Sequence, residues 1–207
     1  MPEEIRPGVY DVTLTTDPKR YRAFLFDGTT PTLVDCGLPE THEALVSGLE
    51  TIGVEPERLI ITHADPDHVG GFDAVVDRYG PETYVPEQST LDTNESPDHR
   101  FGHGDRIGRF EAVHVPGHEP DNHVLVDEDA GIAVMGDAAS GADQRGLPAG
   151  YFVLPPAIYS KDLNAAETNL ERLLDFTFEV GLVYHGSSVR EGARRKLDRF
   201  VNFPGRP

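Results

Sequence analysis

The chain has one cysteine, Cys36, and three lysines, Lys19, Lys161 and Lys196, among 207 residues. A lone cysteine excludes an intramolecular disulfide, so a secreted fold stapled by cross-links has no support. No histidine or base motif flanks Cys36, and it reads as a small packing residue rather than a nucleophile. Long apolar runs are missing as well. No stretch of 18 apolar residues argues for a transmembrane helix, and no basic-then-apolar opening argues for a secretory signal, so a cytoplasmic protein is expected. Positive charge is scarce: Lys plus Arg total 18 against 36 Asp plus Glu, a formal net charge of −18. Such a surface opposes polyanion binding at physiological salt. It is similar to the surfaces of halophilic proteins, where about 3 Å screening at 1 M salt relieves self-repulsion. No Gly/Ser linker or composition break divides the sequence, and a single domain over 1–207 is expected.

What is present is concentrated. The run Thr62-His63-Ala64-Asp65-Pro66-Asp67-His68-Val69-Gly70-Gly71 places two imidazoles and two carboxylates within six residues, directly after the apolar Leu59-Ile60-Ile61. An apolar run that stops at a polar cluster reads as a buried strand delivering its C-terminal end to the surface. Pro66, with φ fixed at about −65°, is expected to keep the segment from coiling into a regular helix, so that the side chains at 63, 65, 67 and 68 converge on one pocket. Gly70 and Gly71 let the chain turn closely past it. The cluster reads as a metal site rather than a solvated loop. One segment cannot surround two metal ions, so further ligands are expected elsewhere. His118 in Val115-Pro116-Gly117-His118, Asp137 in Val134-Met135-Gly136-Asp137 and His185 in Leu182-Val183-Tyr184-His185-Gly186 share the strand-end context of His63: each follows an apolar run and neighbours a glycine.

In this order, with the Leu33-Val34-Asp35-Cys36-Gly37 turn ahead of the first helix, the series resembles the metallo-β-lactamase superfamily of metallohydrolases over about 8–185. The resemblance implies an α/β fold, an αββα sandwich with two sheets face to face, helices outside and the ligands along one edge. It implies two divalent metal ions. His63 and His118 would hold the first, with Asp65 at the position of the family's usual second histidine. Asp67, His68 and His185 would hold the second, and Asp137 would bridge both. Zinc is the usual metal in the family, while a carboxylate in place of an imidazole makes the first site harder and favours iron or manganese. Two cations about 3.5–4 Å apart lower the pKa of a shared water, and the hydroxide they hold is the nucleophile. Asp67 would orient it as the catalytic residue. The glyoxalase II type is one such relative, but with the chain ending soon after His185 the helical region that binds glutathione there is not expected.

The expected activity is hydrolysis of a small ester, thioester or lactone. The alternatives are an iron-dependent persulfide dioxygenase and a metal-dependent nuclease or phosphodiesterase. The latter is favoured by Asp65 and by the basic stretch Arg190, Arg194, Arg195, Lys196 and Arg199. The partner is expected to be a small molecule, with no membrane and no nucleic acid; a homodimer is left open. The apolar segment 146–156 walls the substrate cleft, with Tyr151 or Tyr159 donating to an oxyanion, or else covers the sandwich edge. Ser140, Ser187 and Ser188 lie near ligands without a triad-like context and read as loop or cap residues. His123, five residues beyond His118, is the remaining histidine expected to support a ligand, while His42 is expected to face solvent.

Hydrophobic periodicity gives strands at 9–14, 21–26 and 32–34, an antiparallel meander around Asp17-Pro18 and Asp27-Gly28. A helix opens at Pro39-Glu40 with Ala44, Leu45, Leu49 and Ile52 on one stripe, and Gly53 ends it. Strands follow at 59–61, 83–85, 110–115, 123–126, 131–135 and 180–184. Helices are expected at 72–79, 163–176 and 191–201. The polar stretch 87–100 reads as a loop.

Overall fold

In the computed structural model, residues 1–16 and 20–203 are described; the expected turn at Asp17-Pro18 lies outside them. The chain forms two compact units, Met1–Phe101 and Gly102–Pro207. Each has its own sheet.

In the first unit, seven strands pair in chain order: β1 (Glu3–Arg6), β2 (Val9–Thr15), β3 (Tyr21–Phe26), β4 (Thr32–Val34), β5 (Arg58–Ile60), β6 (Glu82–Pro86) and β7 (His99–Phe101). The meander from β1 to β4 is antiparallel and the rest is parallel. Parallel strands need a crossover, and helices supply it for β4–β5 and β5–β6, while the 87–98 connection supplies it for β6–β7. Helix α1 (His42–Ile52) joins β4 to β5 and ends where Gly53, at φ 78, returns its N–H to Leu49. Helices α2 (Pro66–Val69) and α3 (Phe72–Tyr79) join β5 to β6. Leu25, Leu33, Leu45, Leu49, Leu59 and Phe72 form the centre of this unit's core. Two buried charges stay together: Arg22 Nε donates to Asp11 Oδ2 at 2.7 Å.

Four expectations change here. Pro66 does not prevent a helix but starts a short one, because the N–H it lacks has no partner in a first turn. His42 is half-buried rather than solvent-facing, and Ala44 lies exposed off the buried Leu45 and Leu49 face. The loop 87–100 is shorter than expected, since His99 already begins β7. The Asp98 carboxylate accepts from Thr83 N and Oγ1 and so docks this strand.

The second unit holds β8 (Arg106–Ile107), β9 (Phe110–His114), β10 (His123–Asp127), β11 (Ile132–Val134), the pair β12 (Ser140–Gly141) and β13 (Phe152–Val153), helix α4 (Leu163–Asn169), β14 (Val180–Leu182) and helix α5 (Ala193–Val201). Its five-stranded sheet runs β14-β11-β10-β9-β8. Only β11 and β14 are parallel neighbours. The helix expected over 163–176 stops at Asn169 and tightens into a 3-10 segment over Leu170–Asp175. The Asn169 side chain, which donates to Ala165 O one turn back and to Pro116 O, sits at that change. Helix α5 begins two residues later than expected, after Gly192 in the left-handed region. Among the described residues no helix is long and apolar enough to cross a membrane.

Candidate metal centre

The strand ends set the geometry. In the first unit, Val34 of β4 pairs with Ile60 of β5, so Asp35 and Thr62 leave the sheet side by side at the carboxyl ends of parallel strands, where α/β sheets present their sites. Asp35 is fully buried and takes φ 57, the left-handed region that aspartate tolerates better than most side chains. In that conformation its carboxylate accepts from Thr62 N, from Thr62 Oγ1 and from His68 Nδ1, each at 2.7 Å.

The network fixes two imidazoles. Because His68 Nδ1–H donates to Asp35, the Nε2 lone pair stays available. Thr62 Oγ1 gives its own proton to Asp35 and therefore accepts from His63 Nδ1 at 3.1 Å, which leaves His63 Nε2 in the same state. The two rings lie 4.1 Å apart between centroids. Asp65 Oδ2 is 3.8 Å from His63 Nε2 and about a third exposed, at 30%. Asp67 and His68 offer ligand atoms within 4.8 Å of one another. The helical turn that carries them is seated against 35–37: Cys36 N donates to His68 O at 2.8 Å and Gly71 N to Gly37 O at 3.0 Å. A Cβ on Gly71 would stand 2.5 Å from Cys36 O. Cys36 is buried as expected, its Sγ donates to His68 O, and burial pushes its thiol pKa well up.

In the second unit, Val134 of β11 pairs with Leu182 of β14, and Asp137 and His185 each lie three residues beyond that pair. Asp137 Oδ2 is 3.3 Å from His185 Nε2 and 3.5 Å from His118 Nε2. His118 comes from the 115–122 connection between β9 and β10, whose ends are tied by Val115 N donating to Asn122 O. Asn122 is fully buried, donates from Nδ2 to Val115 O and accepts Asp137 N on Oδ1 at 3.0 Å. Ser160 Oγ donates to Pro156 O and lies 3.4 Å from His118 Nδ1. His114 and His123 pair across the hairpin with rings 4.9 Å apart. His123 is fully buried, and burial pushes its pKa down to about 4, with His114 and His103 adding to the shift. Its Nδ1 donates to Asp121 O.

These donor sets suit a divalent metal. Two ligand atoms on one tetrahedral ion at about 2.0–2.1 Å lie roughly 3.3 Å apart, close to the 3.3 and 3.5 Å around Asp137. His63, Asp65, Asp67 and His68 are gathered in the first unit, and His118, Asp137 and His185 in the second. Asp35, Asn122 and Ser160 were not singled out from the sequence as functional side chains. Asp35 had a signal, an acid closing the apolar Leu33-Val34 run; the other two had none.

A profile of the metallo-beta-lactamase superfamily matches residues 21–191. The chain belongs to the metallo-β-lactamase superfamily. Membership implies divalent metal binding, in keeping with the paired imidazoles and carboxylates. The lactamase-like protein adaB of Aspergillus niger is 28% identical over 168 residues, covering 77% of this chain and 47% of that protein. A hydroxyacylglutathione hydrolase of Chromohalobacter salexigens is 33% identical over 88 residues, covering 41% of this chain and 33% of that one. The chain thus spans about half or less of these curated relatives. Among solved structures, TTHA1623 in a di-iron-bound form superposes with a TM-score of 0.71 at 23% identity, over 92% of this chain and 98% of that one. The likeness establishes an α/β fold of the metallo-β-lactamase type, as expected.

Proposed function

We propose that the protein is a metal-dependent hydrolase of a small ester, thioester or lactone. In this reading His63, Asp65, Asp67, His68, His118, Asp137 and His185 serve two divalent ions, and 1–207 acts as one functional domain. The observation that supports it most is the orientation of the imidazoles. His63, His68 and His118 each turn Nδ1 to an oxygen, and His63 and His118 set Nε2 beside a carboxylate. A bound pair of divalent metals supplies a water of lowered pKa and polarises the substrate oxygen. Asp67, in the first turn of α2, would orient that water as well as ligate. Zinc is the metal the family favours; Asp65 brings the set to three carboxylates and supports iron or manganese instead. The di-iron-bound neighbour is in line with that choice.

The substrate side rests on the segment 146–160. Leu147, Tyr151, Ile158 and Tyr159 are all at least half exposed there, and Ser160 follows directly with its contact to His118. Exposed apolar groups beside a polar centre favour a substrate with an apolar acyl portion. The net charge of −18 disfavours an anionic one. The test is hydrolysis by the metal-loaded protein in high salt, on panels of thioesters, lactones and phosphodiesters. Turnover of the first two is expected, rising with acyl length and reduced to background in Asp137→Ala. Turnover of phosphodiesters alone, or oxygen-dependent consumption of a persulfide with one iron bound, would replace this reading.

A further inference from the structure

His185 is carried on a loop, 183–189, that leaves β14 and is gripped from outside by the chain that follows Asp137. The carbonyl of His185 accepts from Gly141 N at 2.7 Å. Two residues on, Ser187 N donates to Asp143 Oδ1 at 2.6 Å and Ser187 Oγ to Asp143 Oδ2 at 2.7 Å. Both carboxylate oxygens of Asp143 are thus engaged with one residue. Behind them Ser188 Oγ accepts from Val183 N at 3.2 Å.

The two segments touch backbone to backbone. Gly186 has φ +76, and a Cβ there would stand 2.5 Å from Gly141 O; a Cβ on Gly141 would stand 2.4 Å from Ser187 N. Side chains cannot fill that contact, so hydrogen bonds on either side of Gly186 must hold it. Gly186 also makes the loop the more flexible when they are absent. Asp137 enters this same stretch a few residues earlier, with Oδ2 at 3.3 Å from His185 Nε2.

We propose that Asp143, acting through Ser187, is the positioning residue for His185 and sets the metal affinity of the site that His185 serves. The proposal rests on His185 being a ligand. A ligand must be held within about 0.5 Å of its productive place by groups that are themselves fixed. Losing such support costs about 10–100-fold in metal affinity. Asp143 acts here through Ser187, and a loop lacking its two acceptors loses the side-chain grip on the residue two beyond His185.

Zinc affinity measured by competition with a chromophoric chelator tests this, alongside melting of the metal-free protein. Asp143→Ala and Ser187→Ala are expected to bind zinc about 10–100-fold more weakly, with metal-free melting temperatures close to wild type. Asp143→Asn, which keeps an oxygen for Ser187 N, should recover part of the loss. Wild-type affinity in both alanine variants overturns the proposal, as does a loss that merely follows a fall in metal-free melting temperature. Should Asp143→Ala fail to fold, Ser187→Ala decides alone. His185→Ala separates the two levels: wild-type zinc binding there removes the ligand reading itself, whereas weakened binding there with intact Asp143→Ala and Ser187→Ala removes only the positioning role.

Discussion

Asp35 shows how much a single buried side chain can direct. One of its oxygens takes the backbone N–H of Thr62, and the other takes Thr62 Oγ1 and His68 Nδ1. Replacing it by asparagine keeps the left-handed backbone tolerable. The new amide, however, sets an N–H where the second oxygen stood. His68 would then accept on Nδ1 and carry its proton on Nε2, the tautomer that cannot ligate. Asp35→Asn is therefore expected to weaken metal binding by about 10–100-fold, measured by chelator competition; unchanged affinity would show that Asp35 does not set the tautomer. The seven proposed ligands were readable from local patterns, because each ends an apolar run or adjoins one that does. Asn122, Ser160 and Asp143 were not. They act on partners 15, 42 and 44 residues away, and no local pattern encodes such pairings.

At the scale of elements, the short parallel strands β4 and β5 were legible because their burial demands apolar runs such as 32–34 and 59–61. The two-residue strands β8, β12 and β13 were not, since two residues carry no period. Strand β1 reads Glu-Glu-Ile-Arg, polar enough to hide an edge strand. The end of α4 at Asn169 coincides with its long-range contact to Pro116 O, which no local pattern encodes. The β9–β10 hairpin gives a pH prediction. His123 at its loop end stays neutral in the fold down to about 4, against an ordinary 6.5. Between those values the unfolded chain binds the proton and the folded one does not. Stability is then lost as pH falls from about 6.5 to about 4, by on the order of 3 kcal/mol at most, and is unaffected by this group above. Denaturant titrations at several pH values should show a flatter acid limb in His123→Phe than in wild type. Equal slopes would exclude His123 as the source.

Over the whole molecule, charge is the dominant feature. The ion pairs Arg78–Glu50 and Arg106–Glu111 are largely on the surface and stabilise little. The basic stretch near the C-terminus is partly used internally: Arg194 donates to Leu174 O and lies 3.6 Å from Asp198 Oδ2, and Lys196 stands over the Tyr151 ring at 5.2 Å. With 36 Asp plus Glu against 18 Lys plus Arg, acids outnumber the possible counter-charges, so screening by salt should stabilise the fold. The melting temperature is expected to rise as KCl is raised into the molar range; a flat or falling trend would refute the halophilic reading.

The fold type was legible because family motifs in the right order span most of the chain, while the substrate was not, because loops such as 146–160 take their shape from the packed fold. The most direct measurement is elemental analysis of protein purified in high salt, wild type beside Asp137→Ala. Two equivalents of zinc, iron or manganese per chain in wild type, and a clear loss in the variant, are predicted. A wild-type protein that holds no metal, or a variant that holds as much, would contradict the metal centre proposed for this chain.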